Sequence, residues 1–183
     1  MQNQKVTLIN MYTGHFAAAI ALKARVPKAP SWALFVGAGL LDYIWSVFIV
    51  LKWEIWTKKL VFIPWSHSLL MSIVWAALFG MLFYKRGKNV VIALALSVFL
   101  HFVFDFFVHP AHLQIAPGIN AMFGLNLGQE VFTKGWSLEL LIIVGCSSYY
   151  LISAAKQTEY GKYSFGVCSI ILALHIVRGI LNM

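Results

Sequence analysis

The segment that decides the fold runs from Asn89 to His109 and reads NVVIALALSVFLHFVFDFFVH. It contains no Lys, Arg or Glu, and a transmembrane helix needs about 20 mostly apolar residues. The whole chain follows the same pattern: 61% of its 183 residues are hydrophobic and 11% are charged. Soluble domains have about 45–50% apolar and about 25% charged residues. The sequence therefore predicts an integral membrane protein and excludes an ordinary soluble or disordered chain.

Five further segments have the length or composition of membrane-spanning helices. Four are clear and one, at the amino-terminal end, is weaker. They are Ser31–Leu51, Trp65–Tyr84, Trp136–Ala154, Ser164–Asn182 and the weaker Leu8–Ala24. A signal peptide is the alternative for the last of these, but its basic residues follow the apolar run instead of preceding it. We predict an all-α, polytopic membrane helical bundle of about six transmembrane helices, forming a single domain over residues 1–183.

One connection is much longer than the others. Residues 110–135 contain two prolines and four glycines among apolar residues, with few charges. Long connections in compact domains are usually functional or disordered. Because this one is largely apolar, we expect an ordered loop that caps the bundle.

The distribution of basic residues indicates which side of the membrane each loop occupies. The chain has 14 Lys and Arg against 6 Asp and Glu, a formal charge of +8. In so apolar a chain this excess indicates contact with lipid headgroups, and no nucleic-acid partner is expected. Eight basic residues fall on the side of the loops after helices one, three and five, and six fall on the other side. The positive-inside rule then places the loop over residues 110–135 outside the cytoplasm. Cys146 and Cys168 lie in apolar segments without metal-site spacing, which is typical of packing residues.

Several ionisable residues fall within the predicted spans, where each costs about 2.5–3.5 kcal/mol near a helix centre unless it has a partner or a role. His101, Asp105 and His109 recur every four residues and so form one stripe on the fourth helix. At about 1.5 Å rise per residue, His15, Asp42, His67 and Glu139 fall in the same half of the membrane as this stripe. His175 and Arg178 on the last helix could pair with Glu139.

This cluster is typical of a divalent metal site. Neutral imidazole and carboxylate are the usual donors for zinc in hydrolytic centres, and manganese or iron also accept them. Two carboxylates and four histidines could hold one metal, or two metals that share a bridging Asp. Ser66 and Ser68 flank His67 without the GxSxG pattern of a serine nucleophile, so we expect them to orient the metal ligands. His112 and Glu139 are further candidates for that role or for substrate contact.

The residues also allow plainer interpretations. A single intramembrane His is about as often hydrogen-bonded to a neighbouring helix carbonyl as bound to metal, and for His15 the two are evenly balanced. For Asp42 the alternative is an ion pair or hydrogen bond with His101.

Four strings occur in order along the chain: Gly14-His15-Phe16-Ala17, Leu40-Leu41-Asp42, Pro64-Trp65-Ser66-His67-Ser68-Leu69 and His101-Phe102-Val103-Phe104-Asp105. In these the chain resembles the bacterial membrane-bound metal-dependent hydrolases, also called LexA-binding inner-membrane-associated hydrolases. The resemblance extends to about Gln129. More narrowly, the chain is similar to a branch of that family whose fourth helix runs into a His-Pro-rich loop. Here that loop is Val108-His109-Pro110-Ala111-His112-Leu113.

The order of these residues is also similar to that of the metal ligands in zinc-dependent phospholipases C and single-strand-specific zinc nucleases. The resemblance implies five metal ligands: His15, Asp42, His67, His101 and Asp105. It also implies that Asp42 bridges metals or acts as a base. Many relatives have Asp-x-Asp at the second helix, where this chain has Asp42-Tyr43-Ile44, and His109 could substitute for the missing ligand.

The leading hypothesis is a metal-dependent hydrolase of the bacterial inner membrane, with its site open to the extracytoplasmic side. Water activated by the metal, zinc first, would attack a phosphoester or a lipid-derived ester. Asp42 or His109 would move protons, and the loop over residues 110–135 would close over a small-molecule or lipid substrate. The alternatives are a transporter or proton-conducting protein that uses the same cluster, and a non-catalytic membrane protein without metal. The sequence assigns no oligomeric state.

Overall fold

A computed structural model describes residues 13–57, 60–127, 133–155 and 161–181. Within these ranges the chain is mainly helical, which confirms the predicted all-α class. The helices are α1 Thr13–Arg25, α2 Ser31–Ala38, α3 Leu40–Val50, α4 Pro64–His67, α5 Leu69–Met81, α6 Lys88–Val108, α7 Lys134–Ala155 and α8 Gly161–Leu181. Two short antiparallel hairpins join them: β1 Ile55–Trp56 with β2 Val61–Phe62, and β3 Leu113–Gln114 with β4 Met122–Phe123.

Each predicted span contains helix, but only some helices have the length of a full crossing. Among the described residues, α6 and α7 are long and apolar enough to cross a membrane, and α2 with α3 adds a third if that bent pair is one span. Helix α5 and the described apolar part of α8 are shorter. Many large apolar side chains on the outer faces are exposed, such as Leu78, Leu141 and Phe165. Such a surface is suited to lipid contact.

Two of the predicted spans are broken, which the sequence pattern does not show. The helix predicted over Ser31–Leu51 bends by 50° between α2 and α3, at Gly39. The helix predicted over Trp65–Tyr84 is interrupted by Ser68, whose backbone is extended and whose hydroxyl accepts the Met71 N–H at the start of α5. An uninterrupted apolar run does not reveal such breaks, because hydrophobicity is the same on both sides of them.

Helix α6 is the central element and packs against α1, α2, α3 and α5. Its Leu94 and Val98 are fully buried together with Leu34 of α2 and Leu41 of α3. Helix α1 packs on its other side against α7 and α8, through a second cluster that includes Ile20 and Cys168. This arrangement brings the polar stripe of α6 into the interior of the bundle.

The long connection after α6 is ordered where the structure describes it, up to Leu127, and α7 begins at Lys134. It folds back along α6, because the N–H groups of Leu125, Asn126 and Leu127 donate to carbonyls of residues 106, 109 and 107. Those carbonyls end the helix and have no partner within it. Gly124 is required here: an added Cβ would lie 2.5 Å from the carbonyl oxygens of His109 and Pro110. The loop thus packs directly on the end of α6 that carries the ionisable stripe.

The close crossing of α5 and α6 gives a stability prediction. A Cβ at Gly80 would lie 2.8 Å from the carbonyl oxygen of Val91, whereas a Cβ at Gly145 of α7 meets nothing within 4 Å. We expect Gly80→Ala to lower the free energy of unfolding by about 1–3 kcal/mol, since two backbones must separate. The matched Gly145→Ala should be neutral or stabilising by about 0.5–1 kcal/mol. Thermal unfolding in detergent measures both, and equal effects would contradict the close crossing.

Candidate metal centre

Four helices bring the five predicted ligands together. His15 lies on α1, Asp42 on α3, and His67 at the end of α4, while α6 supplies His101 and Asp105. His109 follows α6 directly. The two breaks in the predicted spans lie next to ligands, since Asp42 follows the bend at Gly39 and His67 precedes the break at Ser68. The breaks thus change the direction of the chain where these side chains enter the cluster. All of these side chains are buried except that of Asp42, which is 16% exposed.

Asp105 is the centre of the cluster and is about 1% exposed. Each of its carboxylate oxygens faces two imidazoles. Oδ2 lies 3.2 Å from His101 Nε2 and 3.6 Å from His67 Nε2. Oδ1 lies 3.6 Å from His109 Nε2 and 3.7 Å from His15 Nε2. Oδ1 has no hydrogen-bond partner among the described residues, although buried carboxylate oxygens normally have one.

Asp42 faces two of the same imidazoles from the other side. Its Oδ1 lies 3.5 Å from His67 Nε2 and 3.6 Å from His101 Nε2. The donor atoms of Asp42, His67 and His101 all lie within 4.8 Å of one another, and so do those of His15, His101 and Asp105. The two groups share His101, so the cluster is one connected set of donors.

The His101 ring is held in a single orientation. Its Nδ1 lies 2.7 Å from the carbonyl oxygen of Ala38, which can only accept, so Nδ1 carries the proton. The other nitrogen, Nε2, is then available to the carboxylates or to a cation. Metal-bound imidazoles are typically oriented by a hydrogen bond of this kind. Ala38 ends α2, so the bend at Gly39 also supplies this acceptor.

The His67 ring is oriented by a buried serine and a buried glutamate. The Ser66 hydroxyl donates to Glu54 Oε2 at 2.6 Å, and its oxygen lies 2.7 Å from His67 Nδ1. Since the hydroxyl proton goes to the carboxylate, Ser66 accepts the proton of Nδ1. His67 Nε2, the other ring nitrogen, faces Asp42 and Asp105. Glu54 is fixed in turn, because its Oε1 accepts the N–H groups of Trp65 and Ser66.

His15 contacts the cluster in a different way. Its Nε2 lies 3.2 Å from the carbonyl oxygen of His101, closer than it lies to Asp105. Its ring stacks on that of His101, with centroids 3.9 Å apart and planes within 6°. A nitrogen that donates to a carbonyl cannot bind a metal at the same time. In this geometry His15 supports His101, and it is less suited to be a ligand than the other two imidazoles.

The distances among these donors fit a bound cation better than direct hydrogen bonds. Contacts near 3.6 Å are too long for hydrogen bonds, which span about 2.7–3.2 Å. Two ligands at about 2.0–2.2 Å from a tetrahedral ion lie about 3.3–3.6 Å apart. The contacts that Asp42 and Asp105 make with His67 and His101 range from 3.2 to 3.6 Å. One divalent cation would also balance the charge of the two carboxylates.

The remaining predicted residues lie at different distances from the cluster. Ser66 contacts His67, as expected of an orienting residue. The structure does not bring Ser68 to the cluster: its hydroxyl caps α5. His112 lies in the turn that follows His109, where its N–H donates to the Pro110 carbonyl, and burial lowers the pKa of its imidazole.

Glu139 belongs to a neighbouring polar group. Its Oε1 accepts the Thr13 hydroxyl at 2.7 Å and the Gly14 N–H at 2.9 Å. Its Oε2 lies 3.5 Å from His175 Nδ1 and 3.8 Å from Arg178 Nη1, as the predicted pairing requires. Glu139 thus holds the start of α1, next to His15, and contacts the cluster only through that helix.

Glu54 is the site residue that the sequence analysis misses. It lies between two predicted spans and was not among the candidate intramembrane groups, yet it is 2% exposed. Composition is the signal that could identify it, because the chain has only six acidic residues. One of them, Glu54, lies in a Trp-rich segment close to the His67 motif, which is an unusual place for a carboxylate in so apolar a chain.

The hydrogen bonds that link Glu54, Ser66 and His67 can be tested with a matched control. Ser66→Ala removes the acceptor of His67 Nδ1, and losing such an orienting group typically weakens metal binding by about 10–100-fold. Ser72→Ala removes another buried hydroxyl, one that donates to the Ser68 carbonyl and does not touch the cluster. Zinc affinity measured by competition with a chelator should fall for the first variant only. Equal affinities in both variants would show that Ser66 does not orient a ligand.

No protein-family model matches the chain, and no curated protein or solved structure matches it at a significant level. The functional assignment therefore depends on the residues and their geometry.

Proposed function

We propose that the chain is a membrane-embedded, metal-dependent hydrolase whose ion is held by Asp42, His67, His101 and Asp105. The observation that carries the proposal is the spacing of these donors: three of the four contacts, at 3.5–3.6 Å, are too long for hydrogen bonds, and all four suit ligands of one cation. The unpartnered Oδ1 of Asp105 supports it. Zinc is the first choice because imidazole and carboxylate suit it, with manganese and iron as alternatives.

The residues have distinct roles in this proposal. Asp105 is about 1% exposed and faces all four imidazoles, so it is the central carboxylate of the ligand set, in place of Asp42. Asp42 is the most exposed member of the cluster and is suited to accept a proton from water that enters the site. His109 Nε2 lies 3.6 Å from Asp105 Oδ1 and would return a proton to the leaving group. A bound divalent ion would supply activation of water, because it lowers the pKa of that water towards neutrality.

The substrate proposed is a phosphoester or a lipid-derived ester. The loop after α6, which packs on the end of that helix, presents exposed apolar side chains, among them Ile119, Met122 and Leu125. A loop of this composition is suited to contact acyl chains and is poorly suited to contact a nucleic acid. The family resemblance noted for the sequence favours the same class of reaction.

The proposed setting is the bacterial inner membrane, crossed six times, with the site on the extracytoplasmic side. Each predicted span contains helix, and α6, α7 and the bent pair of α2 and α3 have the length and composition of a crossing. The basic residues at the carboxyl end of α1 and the amino end of α6, which lie away from the site, support placing the site outside the cytoplasm.

The distribution of charge disfavours transport, the main alternative. A proton or ion path needs polar groups through the whole membrane. Helix α6 carries no ionisable residue between Lys88 and His101, and α1 carries none between His15 and Lys23. On these two helices the stretch between the basic end and the His and Asp cluster is therefore apolar.

Metal content tests the proposal directly. Wild-type protein purified without chelators should carry about one zinc, manganese or iron ion per chain by elemental analysis. Asp105→Asn should lose that ion, since it halves the negative charge of the ligand set. The control Glu139→Gln removes a buried carboxylate outside the cluster and should keep the ion. Metal-free wild type, or equal loss in both variants, would contradict the site.

Hydrolysis separates an enzyme from a protein that only binds metal. We expect the loaded protein to cleave members of a panel of fluorogenic phosphodiesters and phospholipid esters. Asp42→Asn should lower kcat by about 100-fold or more if Asp42 acts as the base. A metal-loaded protein that cleaves none of the panel would favour the non-catalytic alternative.

The side of the membrane on which the loop after α6 lies can be tested separately. In a protein whose two native cysteines are replaced by Ala, a cysteine introduced at exposed Gly118 or Asn120 should react with an impermeant maleimide added outside spheroplasts. Labelling only after the membrane is opened would reverse the proposed topology.

A further inference from the structure

A cavity of about 520 Å³ lies at the end of the bundle opposite the His and Asp cluster. It is formed where α1 ends and α6 begins. Its lining comes from two segments: residues 25–28, where α1 ends, and residues 86–90, which include the start of α6. Asp105 lies 17 residues further along α6, about 25 Å away at 1.5 Å per residue. The cavity is therefore separate from the proposed metal site.

The lining of this cavity is strongly basic. Arg25 and Lys28 line it from one segment, and Arg86 and Lys88 line it from the other. Neither segment contains an acidic residue, since residues 23–30 read KARVPKAP and residues 84–90 read YKRGKNV. The first residues of α6 also line the cavity, and the N–H groups at a helix start favour an anion. Charge and backbone dipole therefore act in the same direction.

Both segments are held in place by bonds within the protein. Lys23 Nζ donates to the carbonyls of Pro27 and Ala29, at 2.7 and 2.8 Å, which fixes the first segment. In the second segment Gly87 has a φ of 95°, which allows its carbonyl to accept the N–H groups of Val90 and Val91. The cationic side chains thus extend from a preformed backbone, which lowers the entropic cost of binding.

An apolar groove continues from the cavity along the outer face of the bundle. It has a volume of about 300 Å³ and shares Arg25, Val26 and Asn89 with the cavity. Its other lining residues are apolar: Leu22 on α1 and Ile92, Ala93 and Leu96 on α6. Ile92 and Leu96 are 44% and 40% exposed. The groove thus runs from the charged end towards the centre of the proposed membrane span.

We propose that this cavity and groove form a binding site for an anionic phospholipid. The phosphate and headgroup lie among the four basic side chains, and one acyl chain lies between Leu22 and Leu96. A free phosphate would use only the charged part of this surface. The continuity of cavity and groove, one polar and one apolar, matches the two parts of a lipid, and basic pockets between membrane helices are known to bind such headgroups.

Native mass spectrometry of the full chain in neutral detergent tests the site. The probes are phosphatidylglycerol and phosphatidylcholine with identical acyl chains. We expect phosphatidylglycerol to bind wild type about tenfold more tightly or better. The double variant Arg86→Gln/Lys88→Gln should lose this preference. The control Lys85→Gln/Lys134→Gln removes the same net charge from exposed positions that do not line the cavity, and it should bind as wild type does.

Three results would overturn the proposal. Equal binding of the two lipids to wild type would exclude an anion-selective site. Equal loss in the cavity variant and in the control would show that general surface charge attracts the lipid. If glycerol phosphate, which lacks acyl chains, binds as tightly as phosphatidylglycerol, the site takes free phosphate and the groove has no role. Thermal unfolding in phosphatidylcholine should confirm that both variants fold.

Discussion

The Asp105 carboxylate is about 1% exposed in the interior of a strongly apolar chain, and both of its oxygens face imidazoles. A charge in such surroundings is very unfavourable unless it is paired or coordinated. Four histidines from α1, α4, α6 and the loop after α6 surround it, and the proposed cation would balance its charge. The fold around them is best understood as the arrangement that keeps these groups in place.

The irregular parts of the structure follow from that requirement. The bend at Gly39 turns Asp42 towards the cluster and leaves the Ala38 carbonyl to orient His101. The break at Ser68 ends α4 at His67, where Ser66 and Glu54 fix the ring. The loop after α6 folds back on the carbonyls around His109. If these helices were regular and unbroken, the side chains would not converge, and their buried polar groups would be left without partners.

Much of this could be predicted from the sequence. Apolar runs near bilayer length predict the helices, and the period of 3.6 residues places His101, Asp105 and His109 on one face. Depth along each helix then brings His15, Asp42 and His67 to the same level, where the structure has them. The prediction succeeds because burying an ionisable group in an apolar span is costly, so such groups collect where they can be paired.

The rest could not be read from the pattern, because it depends on local backbone and hydrogen bonds. Hydropathy does not distinguish a straight helix from α2 and α3, and it gives no sign that Ser68 caps a helix while Ser66 orients a ring. Glu54 lies outside the predicted spans, and only the folded chain reveals its burial. The choice of Asp105 over Asp42 as the central carboxylate, and the contact of His15 with a carbonyl, depend on differences of less than 1 Å between donor atoms.

An anomalous-difference map from crystals of the purified protein, collected at the zinc, manganese and iron edges, tests the central claim most directly. A cation bound by the cluster would give one strong peak about 2.0–2.2 Å from Asp42 Oδ1, His67 Nε2 and His101 Nε2, with Asp105 as a further ligand. A map without a peak there, in which the imidazoles instead close to direct hydrogen bonds of about 2.8 Å with the carboxylates, would contradict it.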